Sequence, residues 1–458
     1  MHSFLIKTTA QRFVALAIPF CMGLATTSVQ ALEYEFGIGN TTLHTTNVGR
    51  TEDDEVSDWI QIPNASLVAS HDVGDLELDA AYRFERRIYN EDVFDDRNRF
   101  TGRANLLWNA LPERLQFFAT NTRTEATINS IAQNVEDNRQ LVRSTSAGPR
   151  LLFNPRGGDQ FSFEYRYTLV QEDDSNFFGE GVDADSDRNR FSLAYELGIS
   201  TNRSLTLQAS REEVDFDDPG TADLDIDNAS LSYQSRSETL ELMATAGYTD
   251  ISRTQGLASV NGFVGNVSLR WALSGSKDLR INARRNLNDQ SQDLQRGTGT
   301  FGQPTVVDNS GLNDVFEEDS IGVNYSSRFG RNTFGLAFRY QTQDFATVNR
   351  DEDENRFSAT FSRRHTPTVS SSLSASFTQR DFRFTGIEDD FLNIAGQIDW
   401  QATKRLRLAL GARYEDRDSP NADVFITPTP GFSSFSFSEF SANISIDFNL
   451  ISRTASTR

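Results

Sequence analysis

Arginine is the side chain of this sequence with the clearest capacity for chemistry, because nearly every basic residue is arginine. After residue 31 the only lysines are Lys277 and Lys404. A guanidinium is always charged and binds carboxylate, phosphate or sulfate oxygens with a planar fork. Arginines that alternate with apolar residues indicate either structural Arg–carboxylate ladders or a path for anions, and the sequence leaves both open.

Eleven arginines are predicted to face the inside of the fold together with acidic residues. The arginines are Arg83, Arg103, Arg150, Arg166, Arg190, Arg270, Arg280, Arg339, Arg356, Arg407 and Arg413. The acidic residues predicted to lie among them are Glu77, Asp79, Glu164, Glu196, Glu241, Asp399 and Glu415.

Other residue types that could perform catalysis are sparse and badly spaced. His44, His71 and His365 form no pair at metal-ligand spacing, and the serine run Ser370–Ser372 has no convincing base nearby in sequence. The chain also lacks glycine-rich phosphate loops, and its one cysteine is Cys21. We therefore expect no enzymatic activity, no metal site and no cofactor.

Residues 1–31 have the pattern of a secretory signal peptide. Lys7 and Arg12 precede an apolar run, and Val29-Gln30-Ala31 resembles a cleavage site. Cleavage after Ala31 would leave a chain without cysteine, with residues 32–450 as its main domain and residues 451–458 as a polar C-terminal tail.

The remaining sequence alternates in hydrophobicity at the period of a β-strand. From Phe161 to Leu169, every odd residue is apolar or aromatic and every even residue is polar. Apolar content is only 37%, and mean hydropathy is -0.50, yet there are 35 Phe and 11 Tyr. An outer-membrane barrel needs apolar residues only on its lipid-facing positions, whereas a soluble β-sandwich or β-propeller would need a larger aliphatic core.

Short turns and long acidic loops alternate between these segments. The short turns are predicted around Val73–Asp75, Pro112–Glu113, Arg156–Gly158, Thr201–Arg203, Arg236–Ser237, Gly275–Lys277, Gly330–Arg331, Pro367–Thr368 and Thr403–Lys404. With a first and a last strand, they predict an all-β, transmembrane, antiparallel up-and-down barrel of about 20 strands, within a range of about 18–22. Short turns of such barrels face the periplasm, which would put both termini there.

The formal net charge of -21 is concentrated in the long loops. Acidic runs occur at 52–55, 95–96, 183–187, 215–227, 317–319 and 351–354. The simplest interpretation is that these acidic residues keep the exposed loops solvated. A more specific interpretation is that divalent cations bridge the loop carboxylates to lipopolysaccharide. Outer-membrane lipid and lipopolysaccharide are thus expected partners, and nucleic acid is not.

Aromatic residues recur at matching positions relative to the loops and turns. Phe100, Phe191 and Phe357 follow acidic loops and predict a girdle at the outer membrane interface. Trp108, Trp271 and Trp400 precede short turns and predict part of the periplasmic girdle.

Three segments carry a resemblance to a known family. Leu32–Gly39 reads LEYEFGIG, Arg413–Ser419 reads RYEDRDS, and Ser441–Phe448 reads SANISIDF. They resemble the β-barrel porin 2 type of outer-membrane protein, which is associated with exopolysaccharide loci and the PEP-CTERM system. The resemblance implies a bacterial outer-membrane location, the barrel-insertion machinery as a partner, and a polysaccharide substrate. The chain departs from the usual aromatic C-terminus of barrels, because a polar tail follows Phe448.

Three functions follow as hypotheses. The resemblance implies a channel for exopolysaccharide export or assembly, with an arginine-lined lumen suited to anionic solutes. A general diffusion porin for small solutes is the first alternative. The second is a plugged structural or surface barrel, in which the low-charge segment Ser291–Asn313 folds inward as a constriction.

Overall fold

The predicted alternation produces long antiparallel strands with two chemically different faces. In the strand Gln160–Glu172, Phe163 and Tyr165 pair with Leu193 and Phe191 of the next strand. Arg166, the residue after Tyr165, pairs with Arg190 on the opposite face of the same two strands. This register keeps apolar side chains together on one face, because successive residues of a strand point to opposite sides.

The computed structural model describes residues 32–127, 134–155, 157–172, 185–218, 221–289, 305–306, 314–346, 351–383, 386–419 and 436–453. Its strands are β1 (Glu33–Thr45), β2 (Asp58–Val73), β3 (Leu76–Tyr89), β4 (Arg97–Leu111), β5 (Leu115–Thr127), β6 (Arg139–Phe153), β7 (Gln160–Glu172), β8 (Ser186–Ser200), β9 (Arg203–Phe216), β10 (Leu224–Arg236), β11 (Leu240–Arg253), β12 (Val260–Ser274), β13 (Lys277–Asp289), β14 (Thr305–Val306), β15 (Val315–Phe329), β16 (Asn332–Phe345), β17 (Glu352–Arg364), β18 (Val369–Phe382), β19 (Ile387–Gln401), β20 (Leu406–Asp418) and β21 (Phe437–Arg453). Residues 1–31, the predicted signal peptide, lie outside the described part of the chain.

All strands except β14 form one closed antiparallel barrel. Each pairs with its neighbours in sequence, β13 pairs with β15, and β1 closes the sheet by pairing with β21 over Tyr34–Thr45. The barrel therefore has 20 strands, which confirms the predicted fold class and strand number. Closure removes the free edges that an open sheet would expose, and the molecule is accordingly an outer-membrane barrel.

Every second connection, beginning with the β2–β3 turn, lies at the same end of the barrel, which we call the turn end. All nine predicted short turns connect strands there, and Gly74 in the β2–β3 turn has a φ of 73° that favours glycine. The opposite end, called the loop end, carries the connections 46–57, 290–314 and 419–436. β1 starts and β21 ends at the turn end; that this end faces the periplasm stays a prediction.

The last strand extends beyond the predicted end of the barrel domain. β21 continues to Arg453, and Ile451 is exposed on the face that carries the other large apolar residues. A β-bulge between Phe36 and Gly37 shifts the β1–β21 register at this point, so that Ile451 pairs with Phe36. Among the described residues, no helix is long and apolar enough to span a membrane.

Candidate solute pathway

Contacts between strands that are not neighbours identify the inner face of the barrel. Arg188 of β8 contacts Asp289 at the end of β13, and β14 pairs with β5. These contacts can only cross the lumen. Large exposed apolar residues concentrate on the other face, for example Leu207, Leu336 and Ile444, and this face meets lipid.

The strand register places all eleven predicted arginines on the inner face. Eight of them lie within 4 Å of a carboxylate. Arg83 contacts Glu85, Arg150 and Arg166 contact Glu164, Arg270 and Arg280 contact Asp278, Arg339 contacts Glu318, Arg407 contacts Asp399, and Arg413 contacts Glu415. Ladders therefore hold most of these arginines, as one of the two interpretations requires.

Three of the eleven predicted arginines have no ion pair with any carboxylate of the described residues. They are Arg103, Arg190 and Arg356, and Arg190 makes only a 3.4 Å hydrogen bond to the Ser210 hydroxyl. Arg190 lies directly opposite Arg166, and Arg356 lies directly opposite Arg339. Like charges at opposed positions are destabilising, so each pair offers positive charge that an anion would neutralise.

Several inner-face carboxylates also have no ion pair in the described residues. Asp72, Glu77 and Asp79 are exposed on the inner face of β2 and β3, where Asp72 pairs with Glu77 in the register. β3 and β13 are ten steps apart in a ring of 20 strands, so the Asp278-bridged arginines of β12 and β13 lie across the lumen from these acids. The lumen wall thus carries unpaired charge of both signs.

At the loop end the lumen is filled by buried ionic clusters. Glu136, in the connection between β5 and β6, is 5% exposed and contacts Arg99 at 2.5 Å and Arg87 at 3.3 Å. The Tyr89 hydroxyl donates a further 2.8 Å hydrogen bond to Glu136. Burial alone would raise the pKa of Glu136, but Arg99 and Arg87 outweigh burial and lower that pKa to about 2.

A second cluster holds the first loop against the last two strands. The Arg50 guanidinium contacts Glu415 of β20 and Glu439 of β21, and it donates a hydrogen bond to the backbone oxygen of Asn134. Burial alone would lower the pKa of Arg50, but the two glutamates raise it above its ordinary value. Arg50 therefore links the β1–β2 connection to β20 and β21, across the closure of the barrel, and to the β5–β6 connection.

The base of the β13–β15 connection is fixed by two more buried ion pairs. Arg188 donates to Asp289 at 3.1 and 3.0 Å and to Glu212 at 2.7 Å, and Arg253 contacts Asp314 at 3.3 Å. Thr305–Val306 pairs with Ala126–Thr127 of β5 on the other side of the lumen. The rest of the predicted constriction Ser291–Asn313 lies outside the described residues.

An apolar group lies beside these ion pairs. We call it the inner apolar cluster; its members are Val214, Phe216, Leu224, Ile226, Ile251, Leu287 and Val315. Inner-face side chains near the loop end are therefore buried, whereas those near the turn end, such as Glu77, Thr360 and Ser372, are exposed. The described residues thus form an open lumen in the half next to the turns and a packed lumen in the half next to the loops.

The predicted girdle residues lie on the outer face. Phe100, Phe191 and Phe357 are exposed and pack against Tyr82, Tyr165 and Phe338 of the preceding strand, with centroids 4.8–5.3 Å apart. Trp271 and Trp400 are about half exposed near the turn end, and Trp108 stacks on Phe117. Their role as girdles stays a prediction.

One His–Ser contact was missed by the sequence argument. The β17–β18 turn places His365 Nε2 2.8 Å from Ser371 Oγ, because the chain reverses between the two residues. No carboxylate of the described residues is hydrogen-bonded to this exposed pair, and those residues contain no group of three or more side chains arranged for a metal. The contact lacks the third member that orients the base in serine hydrolases.

The buried loop-end ions were also missed by the sequence argument. Arg188, Asp289 and Glu136 stand in acidic loops or at strand ends, where solvation is the ordinary expectation. Asp289 lies on a strand that does not neighbour that of Arg188, and Glu136 reaches Arg87 and Arg99 from a connection, so no spacing in the sequence could reveal these pairs.

Comparisons with known proteins extend only to overall architecture. No family model matches the sequence, and no curated protein matches it. Among solved structures, the chain is similar to the FrpB iron transporter from Neisseria meningitidis, with 7% identity over 90% of this chain and 81% of that chain and a TM-score of 0.48. It is also similar to the siderophore receptor PirA from Pseudomonas aeruginosa, with 12% identity over 90% and 80% of the two chains and a TM-score of 0.46. The outer membrane protein OpdK from Pseudomonas aeruginosa gives 11% identity over 92% and 98%, with a TM-score of 0.41.

Proposed function

We propose that this protein is an outer-membrane channel that favours small anionic solutes. The observation that carries the proposal is that three inner-face arginines, Arg103, Arg190 and Arg356, have no carboxylate partner among the described residues. A guanidinium without a fixed partner in a water-filled lumen attracts anions over a range limited by salt screening. The exposed Asp72, Glu77 and Asp79 on β2 and β3 would repel an anion from that part of the lumen.

The packed half of the lumen favours small solutes over polymers. Buried ionic clusters around Glu136, Arg50 and Arg188 occupy the loop end from several strands. A polysaccharide would require these clusters to separate along a continuous wide path, whereas a small anion needs only a narrow one. Export of exopolysaccharide, which the resemblance implied, gains no support from the comparisons with known proteins.

The channel proposal is tested by single-channel recording in planar bilayers with a KCl gradient. We expect a measurable conductance and a reversal potential that shows chloride preference, with the preference weakening as salt rises. The triple variant Arg103→Gln, Arg190→Gln, Arg356→Gln should shift the reversal potential towards zero.

The matched control removes the same charge from the outer face. Arg211, Arg285 and Arg383 are each paired with carboxylates outside the lumen, so their replacement by Gln should leave the reversal potential unchanged. A silent wild-type protein would refute the channel, and cation preference would refute the anion selectivity. An equal effect of the two triple variants would show that net charge, and not the inner arginines, sets selectivity.

A further inference from the structure

The barrel wall is interrupted at one place near the loop end. Pairing between β12 and β13 stops at Gly265 and Arg285, although β12 begins at Val260 and β13 continues to Asp289. On their other sides both segments remain paired, with Ile251 opposite Val260 and Val315 opposite Asp289. Among the described residues the wall is thus open between two strands that are each intact, and we call this opening the β12–β13 seam.

The seam exists because the end of β13 bends into the lumen. Alternation puts Leu287 on the same face as Ala283, which pairs with the exposed outer-face Val267. Leu287 nevertheless is buried among the inner apolar cluster, and Asp289 reaches Arg188 on β8. β12 stays in the wall, and its outer-face Phe263 is left 78% exposed.

A cleft of about 510 Å³ lies against the wall beside the seam and reaches it at Phe263, Val264 and Gly265. Its lining includes outer-face Phe263, Val267 and Ile321, together with Val264, which alternation places on the lumen side. The volume is within the range of about 300–1,000 Å³ that small-molecule sites occupy.

The apolar lining continues from the lipid side to the lumen. Val260 and Val264 pack against the inner apolar cluster, which is an unusual surface for the polar interior of a barrel. Outside, Phe263 packs edge-on against Tyr248 at 5.5 Å. A flexible apolar chain that enters the seam beside Phe263 would therefore meet Val264 and, behind it, the inner apolar cluster.

We propose that the β12–β13 seam binds an acyl chain of a membrane lipid, which inserts through the wall towards the inner apolar cluster. The cleft faces the membrane at its outer rim, and this orientation identifies a membrane lipid as the occupant. Burying methylene groups between Phe263 and Val264 removes apolar surface from water on both sides of the wall. The proposal is independent of anion transport, because none of the unpaired lumen arginines lines the cleft.

The test uses the folded wild-type barrel in phospholipid vesicles that contain a lipid with a diazirine near the end of one acyl chain. After photolysis, mass spectrometry locates the labelled residues. We expect label on the inner-face residues Val260 and Val264 as well as on outer-face Phe263. The matched control is the inner face of β8 at Ser192 and Ala194, where both neighbouring strands are fully paired and no label is expected.

A second measurement uses the variant Val264→Trp, whose indole should fill the cleft. We expect loss of the label at Val260, while the label at Phe263 remains. Label confined to outer-face residues of the wild type would overturn the proposal, and so would equal label at Ala194. Crosslinks between two copies of the chain at Phe263 would assign the seam to a second protein molecule instead. If the tryptophan variant does not fold, the wild-type labelling pattern still decides.

Discussion

The ion pair between Arg188 and Asp289 should determine how firmly the end of β13 stays inside the lumen. Arg188 is 1% exposed and Asp289 is fully buried, and two hydrogen bonds join them. The variant Asp289→Asn removes the negative charge and leaves Glu212 as a carboxylate partner of Arg188. Breaking a buried ion pair costs about 3–5 kcal/mol, and the remaining partner favours the lower value of about 3 kcal/mol.

This loss should appear as local opening, because the end of β13 is paired only with β15 beyond Arg285. Since every 1.4 kcal/mol is tenfold, about 3 kcal/mol corresponds to roughly a hundredfold faster hydrogen exchange of the backbone amides in this part of β13 and β15. Hydrogen-exchange mass spectrometry of the barrel in detergent micelles measures the change peptide by peptide.

Two variants decide whether the reasoning is right. Asp225→Asn breaks an exposed pair with Arg211 and should change exchange by less than about 1 kcal/mol equivalent. The triple variant Arg188→Met, Glu212→Gln, Asp289→Leu removes all three charges and should restore much of the protection, because well-packed apolar residues can replace a buried pair. Unchanged exchange in Asp289→Asn would refute the assigned role of the pair. Equal loss in the triple variant would show that an uncompensated charge is not the cause.

Two further predictions concern a carboxylate and a glycine. The pKa of Glu136 is lowered to about 2, so the stabilising contribution of this carboxylate is complete above the unfolded pKa of about 4.3 and is lost as pH falls towards 2. The urea midpoints of wild type and Glu136→Gln should therefore differ at pH 7 and converge by about pH 2. A difference that stays constant with pH would contradict this linkage. Gly148→Ala should destabilise the barrel by about 1–3 kcal/mol, because the new Cβ would overlap the backbone oxygen of Tyr165. The control Gly275→Ala adds its methyl group in open space. Equal urea midpoints for the two alanine variants would show that the β6–β7 pairing shifts to accommodate the methyl group.

Local patterns were enough to predict the architecture. In β7, alternation identified both faces of the strand, and residues such as Gly74 and Gly330 marked turns that the structure confirms. A turn or a strand depends on neighbouring residues, so the sequence carries the information directly. The strand number followed because each short turn joins one pair of strands.

Interactions across the lumen could not be predicted in the same way. Arg188 and Asp289 are 101 residues apart, and Arg50 and Glu415 are 365 residues apart. Which arginines find carboxylates depends on where the loop-end connections enter the lumen, and alternation says nothing about that. The β12–β13 seam was equally hidden, since the sequences of β12 and β13 alternate like those of strands that remain paired.

Closure of the barrel by β1 and β21 has a consequence for folding. Thr41 and Ser445 share a hydrogen bond of 2.8 Å across 404 residues of chain, whereas every other neighbouring pair of barrel strands is joined directly by a connection. Hairpins can therefore form early at small entropic cost, but the closing contact must wait until the ends of the sheet meet. Until then, the free edges of β1 and β21 can pair with other chains, so the final step of assembly is also the one most exposed to aggregation.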